Sequence, residues 1–237
     1  MAQQNNIKLR GTAGNVIYYQ WKDIHCMRSK PTGVLQSGPT KKAAGIFGQA
    51  SRCSAVLRAF LKPVLPEPGN RSIIHATDAA FRNWFTNEAP QNNPHPIEAA
   101  AFSQLSLNSE VSLKHIYRVP GQLNRTADGK LQMQLPVFDP AAGILAARGT
   151  SEIILQLMAV GLPLQDLTTA TAVETAISIP YNQGMQPALS IPLNLQTAPG
   201  QLSLVALALQ FFTAANPMQP LQELRWKPAG IVGSFFN

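Results

Sequence analysis

Two hydrophobic periods divide this chain. In its first half, apolar residues recur every three or four positions. Ile46/Phe47, Ala50, Cys53, Val56/Leu57 and Phe60/Leu61 form one stripe, which predicts a helix over residues 43–62. Thr40 stands where it can cap the start of that helix, and Pro63 stands where it ends. Ile74, Thr77, Phe81 and Trp84/Phe85 predict a second amphipathic helix over residues 73–86, with "PVLPEPGN" before it and "APQNNPHP" after it as breaks. From about residue 99 the period becomes two. Seven segments read as strands: 101–108, 114–119, 131–138, 152–160, 174–180, 187–196 and 202–212. Turn chemistry separates them, as in "TADGK", "DPAAG" and "TAPG". Pro136, Pro180 and Pro192 fall inside strand patterns and so mark sheet edges or bulges.

The front of the chain has a third pattern. In "VIYYQW" Val16, Tyr18 and Gln20 alternate with Ile17, Tyr19 and Trp21, so both faces of a strand are apolar. Lys22-Asp23 makes the turn, Ile24 to Met27 return, and Gly11 and Gly14 allow positive φ or a close backbone approach. Residues 7–30 thus read as a two-stranded ribbon. Such a ribbon is marginal alone, and its aromatic faces call for a partner. "PTGVLQSGPTKK" (31–42) is a linker. The expected organisation is a basic hairpin arm with its linker (1–42), a two-helix segment (43–98) and a β-sandwich domain (99–237). The fold class is mainly β (α+β), and seven short strands with regular turns argue for an immunoglobulin-like sandwich.

Composition changes the picture in two ways. Hydrophobic residues make up 45% of the 237, enough for a sizeable core, but charged residues only 13%, about half the usual share of ~25%. A surface so poor in charge repels its own copies weakly, which favours self-association. The net charge of +7 is also uneven: residues 1–72 hold 11 Lys/Arg against 2 Asp/Glu, whereas residues 73–237 hold 8 against 10. A basic front suits nucleic acid or a membrane surface, and equally a mildly acidic neighbouring copy. No apolar run reaches ~18 residues, so no membrane span is expected. "MAQQNNIKLRG" has no signal-peptide core. The expected location is the cytoplasm, or an assembled particle or filament.

Catalytic chemistry finds little to stand on. His25, His75, His95 and His115 lack metal-site spacing, and neither Cys26 nor Cys53 belongs to a CxxC pair. His25 and Cys26 are neighbours on a strand and point to opposite faces. His75 and Asp78 can share a helix face, as a surface contact rather than an acid–base pair. No nucleophile elbow, dinucleotide fingerprint or P-loop occurs. The expectation is a protein that is not an enzyme, with no catalytic residue, metal or cofactor.

The stretch "GTAGNVIYYQWKDIHCMRSKP" resembles the N-terminal signature of a bacterial family of unknown function abundant in Bacteroidota. The resemblance is carried by Gly11, Gly14, Val16, Trp21, Lys22, Met27, Arg28, Ser29 and Pro31, with Asp23 where that family usually has Gly. It implies the same order of hairpin, linker, helix and β domain, and no activity.

The residues themselves suggest a structural subunit that polymerises into a filament, tube or ring. Its arm would pack on another copy or add strands to it. Val16, Tyr18, Tyr19, Trp21, Ile24 and Met27 would carry that interface, with Arg28 and Lys30 facing acidic residues of the neighbour. A phage-derived virion or tail component is a special case. Nucleic-acid binding through the same basic, aromatic arm is the alternative.

Overall fold

The computed structural model describes residues 3–5, 8–33, 36–88, 97–103, 105–126, 128–181 and 184–236. The protein is mainly β with helices, and the chain divides into two compact units, Met1–Ala43 and Ala44–Asn237.

The first unit is a meander of four antiparallel strands: β1 (Gln3–Asn5), β2 (Lys8–Ala13), β3 (Val16–Trp21) and β4 (Ile24–Ser29). The sequence predicts a ribbon of two strands; the structure doubles it. Short turns make this possible. Gly14 takes φ 57° between β2 and β3, and Lys22 takes φ 54° between β3 and β4. Positive φ at the first turn residue lets a two-residue loop follow the twist of the strands it joins.

The second unit begins with α1 (Gly38–Leu61), whose first residues lie in the first unit, and α2 (Arg71–Asn83). Helix α1 starts earlier than the stripe predicts, and Ser37 rather than Thr40 stands at its entry, its Oγ 3.4 Å from the Thr40 N–H. The Asn70 side chain caps α2 by accepting from the Ser72 N–H at 2.8 Å. Helix α2 buries Ile73, Thr77, Ala80 and Phe81, so the stripe runs through Ile73 rather than Ile74. A π-turn, Trp84–Glu88, follows.

Beyond the helices come β5 (Ile97–Glu98), the single helical turn α3 (Leu113–Ile116), β6 (Gln122–Arg125), β7 (Lys130–Leu135) and the turn α4 (Pro140–Gly143). The chain ends with β8 (Thr150–Pro163), β9 (Thr171–Pro180), β10 (Leu189–Gln196), β11 (Gln201–Thr213) and β12 (Ala229–Phe236). These strands form a five-stranded sheet in the order β5-β12-β11-β8-β9 and a three-stranded sheet in the order β10-β7-β6, with antiparallel pairing throughout.

Two apolar cores lie on opposite faces of the five-stranded sheet. Met158, Val160 and Leu162 of β8 and Leu202, Leu204 and Ala206 of β11 pack with Leu57 and Leu61 of α1 and Phe81 of α2. The intervening residues, Ile153, Leu155 and Leu157 of β8 and Val205, Leu207 and Leu209 of β11, pack with Leu131, Met133 and Leu135 of β7 and Ile191, Leu193 and Leu195 of β10. The central strands are therefore covered on both sides, which is why they read as unbroken apolar runs. The helices are not a separate segment: their apolar stripes complete a core whose other half is the sheet.

Two expected strands are not strands. Residues 101–108 begin in a 3-10 turn (Ala100–Phe102) and then run beside β12, where the Ile231 N–H donates to the Leu105 carbonyl at 3.0 Å. Residues 114–119 open in α3, and their strand-type pairing is a single isolated bridge between Tyr117 and Ile144. Two of the three prolines sit at sheet edges, whereas Pro136 lies just past the end of β7, the central strand of its sheet, and not within a strand. Pro192 lies on the edge strand β10, whose register shifts between Pro192 and Gln196, and Pro180 ends the edge strand β9.

Candidate interaction surface on the N-terminal sheet

The β3–β4 register decides which expected interface residues share a face. Val16 pairs with Ser29, Tyr18 with Met27 and Gln20 with His25. Ile17 pairs with Arg28, Tyr19 with Cys26 and Trp21 with Ile24. Directly opposed residues of an antiparallel pair project to one side, so the eight expected residues divide. Val16, Tyr18 and Met27 take one face. Tyr19, Trp21, Ile24 and Arg28 take the other, joined by Ile17 and Cys26. Lys30 follows the end of β4, and its N–H donates to the Asn15 carbonyl at 2.7 Å to close the hairpin.

Large apolar side chains are unusually bare here. Trp21 is 62% exposed, Ile24 60%, Met27 72% and Tyr19 41%. Trp21 and Ile24 face each other next to the Lys22-Asp23 turn, so the most exposed apolar pair lies at the hairpin tip. Cations edge the rings: the Lys22 Nζ stands 5.4 Å from the Trp21 ring centre, and the Arg28 guanidinium 5.8 Å from that of Tyr19. The Arg10 guanidinium donates to Gln20 Oε1 at 2.6 Å and braces β2 against β3. Residues 1–43 carry seven Lys or Arg against one acidic residue, Asp23. The surface is thus an aromatic and aliphatic strip with a basic border. Sequence reasoning finds the strip by its period but misses β1 and β2, because "KLRGTA" has no apolar alternation to mark it.

The remaining chemistry-bearing residues are scattered. His25, His75 and His115 are exposed on β4, α2 and α3, and His95 lies outside the described residues. The carboxylate of Asp78 is held by Arg58 at 3.1 Å rather than by His75. That guanidinium also donates to the Ser54 hydroxyl and, at 2.8 Å, to Thr77 Oγ1, clasping α1 to α2. Cys53 is buried in the helical core, which pushes its thiol up to about 11, whereas Cys26 is half-buried on the N-terminal sheet. Among the described residues no three His, Cys, Asp or Glu side chains are grouped to hold a metal ion, and no helix is long and apolar enough to cross a membrane. No protein-family model, no curated protein and no solved structure matches this chain.

Proposed function

We propose that the protein is a structural, self-assembling subunit whose N-terminal sheet packs on another copy of the chain. The observation that carries this reading is the exposure of Trp21, Ile24 and Met27 on a strand pair with apolar residues on both faces. Burying one such side chain is worth ~1.5–3 kcal/mol. Several at once, on a sheet of only four short strands, give a strong drive toward a partner. Val16, Tyr18, Tyr19, Trp21, Ile24 and Met27 form the contact, and Arg28 and Lys30 meet acidic groups of the neighbour. An arm that docks on a different surface of the next subunit makes a heterologous contact, so repetition gives a ring or an open filament. In the body, the finer architecture we assign is an immunoglobulin-like sandwich whose outer face α1 and α2 cover. A virion or tail component fits the same description, and no catalytic role is assigned.

A second reading has its own support. The seven cations of the first unit, two of them beside exposed rings, are what a single-stranded nucleic acid would use for phosphate contact and base stacking.

Sedimentation of nuclease-treated protein separates the two. Self-assembly predicts that mass rises with concentration in the full chain and that a chain lacking residues 1–42 stays folded and monomeric. A truncated chain that still polymerises contradicts the proposal. Salt-dependent retention on single-stranded DNA, weakened by Trp21→Ala, with no mass increase, would replace it by the second reading.

A further inference from the structure

A cavity of about 190 Å³ opens between β6 of the three-stranded sheet and β12 of the five-stranded sheet, beside α3. Its wall is mostly apolar: Leu105, Leu113, Leu123, Met133 and Ile231, with the ring of Tyr117 among them. Tyr117 is 8% exposed, and its hydroxyl is shielded from solvent with no hydrogen-bond partner among the described residues. No other buried side-chain nitrogen or oxygen among the described residues is left in that state.

A buried donor without a partner is costly, so it calls for an explanation. The other buried polar side chains among the described residues are satisfied. The Asn108 amide nitrogen donates to the carbonyls of Leu224 and Lys227 at 2.7 and 2.8 Å, while its oxygen accepts from the Glu110 N–H at 2.7 Å. Tyr117 departs from that rule at the edge of a cavity.

We propose that this cavity is a binding site for a small, single-ring aromatic carboxylate, with Tyr117 and Lys114 as its polar anchors. Size argues for one ring: the volume is a little above the ~150 Å³ of an apolar cavity that takes up benzene, and below the ~300 Å³ at which drug-sized sites begin. The wall argues for an aromatic ring, since a thioether and a phenol both make favourable contacts with one. The polar groups argue for the acid. Tyr117 offers an O–H that lacks an acceptor, and Lys114, exposed at the rim, offers a positive charge. Rotation about Cβ–Cγ leaves the shielded Tyr117 hydroxyl on its own axis, so presenting it to the ligand takes a rotation about Cα–Cβ. Every lining residue belongs to the second unit.

The test is saturation-transfer NMR on the full chain with benzoate as probe. Saturable binding is expected. Tyr117→Phe keeps the ring and the fold and should weaken binding about tenfold; Lys114→Gln, an exposed change, should weaken it several-fold and remove the preference for benzoate over benzamide. Val232→Phe, which adds bulk to the wall, should abolish binding while the protein stays folded by circular dichroism. No saturable binding of benzoate by the folded full chain, or affinity unchanged in Tyr117→Phe, overturns the proposal. Equal affinity for benzamide in the unaltered protein overturns the assignment to an acid.

Discussion

Strands β3 and β11 are written in similar letters and have opposite fates. "VIYYQW" and "LSLVALALQFF" are both apolar on both faces. In β11 every residue from Gln201 to Leu209 is buried, because helices cover one face and a second sheet covers the other. In β3 the residues go from half-buried at Val16, Ile17 and Tyr18 to exposed at Tyr19, Gln20 and Trp21. A strand that is apolar on both sides needs cover on both sides. The body supplies it for β11, and the account here has a second copy supply it for β3.

The comparison can be broken by truncating one member of each region. Phe81 is fully buried and meets Phe102 edge-on at 4.9 Å between ring centres. Phe81→Ala should cost about 3–5 kcal/mol in denaturant unfolding, the largest effect expected here. Trp21→Ala, measured below the concentration of assembly, should change stability by no more than about 0.5 kcal/mol. A large loss from Trp21→Ala would mean that the exposed strip holds the chain's own fold together.

The helical cover of β11 can be tested at its polar clasp. Thr77 accepts from Arg58 and Ser54, at 2.8 and 2.9 Å, while its own hydroxyl lies 2.9 Å from the Ile73 carbonyl. Thr77→Val keeps the shape and removes the acceptor from a buried cluster. It should cost about 1–3 kcal/mol, read as a lower urea midpoint at unchanged slope.

A smaller effect sharpens the contrast through the cysteines. Burial holds the Cys53 thiol at about 11, so almost none of it is thiolate at pH 8. A disulfide reagent should modify Cys26 readily in the native protein and Cys53 only after unfolding. Rapid native modification of both would mean that α1 does not cover the sheet.

The smallest effect concerns Asp166, fully exposed, whose carboxyl is held below its ordinary value by hydrogen bonds from the Thr168 hydroxyl and N–H. A folded value below the unfolded one means that the contribution to stability is complete above the ordinary carboxylate range and is lost as pH falls through the folded value. Asp166→Asn should therefore lower stability slightly at neutral pH, leave it unchanged at pH below the folded value, and so flatten the acid limb.

Much of the body was legible from period alone. Leu131, Met133 and Leu135 alternate with Gln and lie inward on β7, as Ile191, Leu193 and Leu195 do on β10. In the two misplaced strands the large apolar residues are buried all the same: Phe102, Leu105, Leu107 and Ile116. Spacing in a short segment does not separate a strand from a helical turn that packs the same side chains. Strand β12 was missed because it opens on "AGIVG", with too few large side chains to show a period. Its glycines are there for its neighbour: a Cβ on Gly233 would lie 2.5 Å from Leu123 Cδ2 of β6. On the N-terminal sheet, alternation placed Tyr19 and Trp21 on one side, but only the cross-strand register puts Ile24 with them and Met27 on the other. The cavity at Tyr117 had no sequence signal, because its wall is drawn from segments far apart in the chain.

The most direct measurement is negative-stain electron microscopy of nuclease-treated full-length protein beside a Trp21→Ser, Ile24→Ser, Met27→Ser variant. The account predicts regular filaments, tubes or rings from the first and dispersed particles from the second. Dispersed particles from both, or the same assemblies from both, would contradict it.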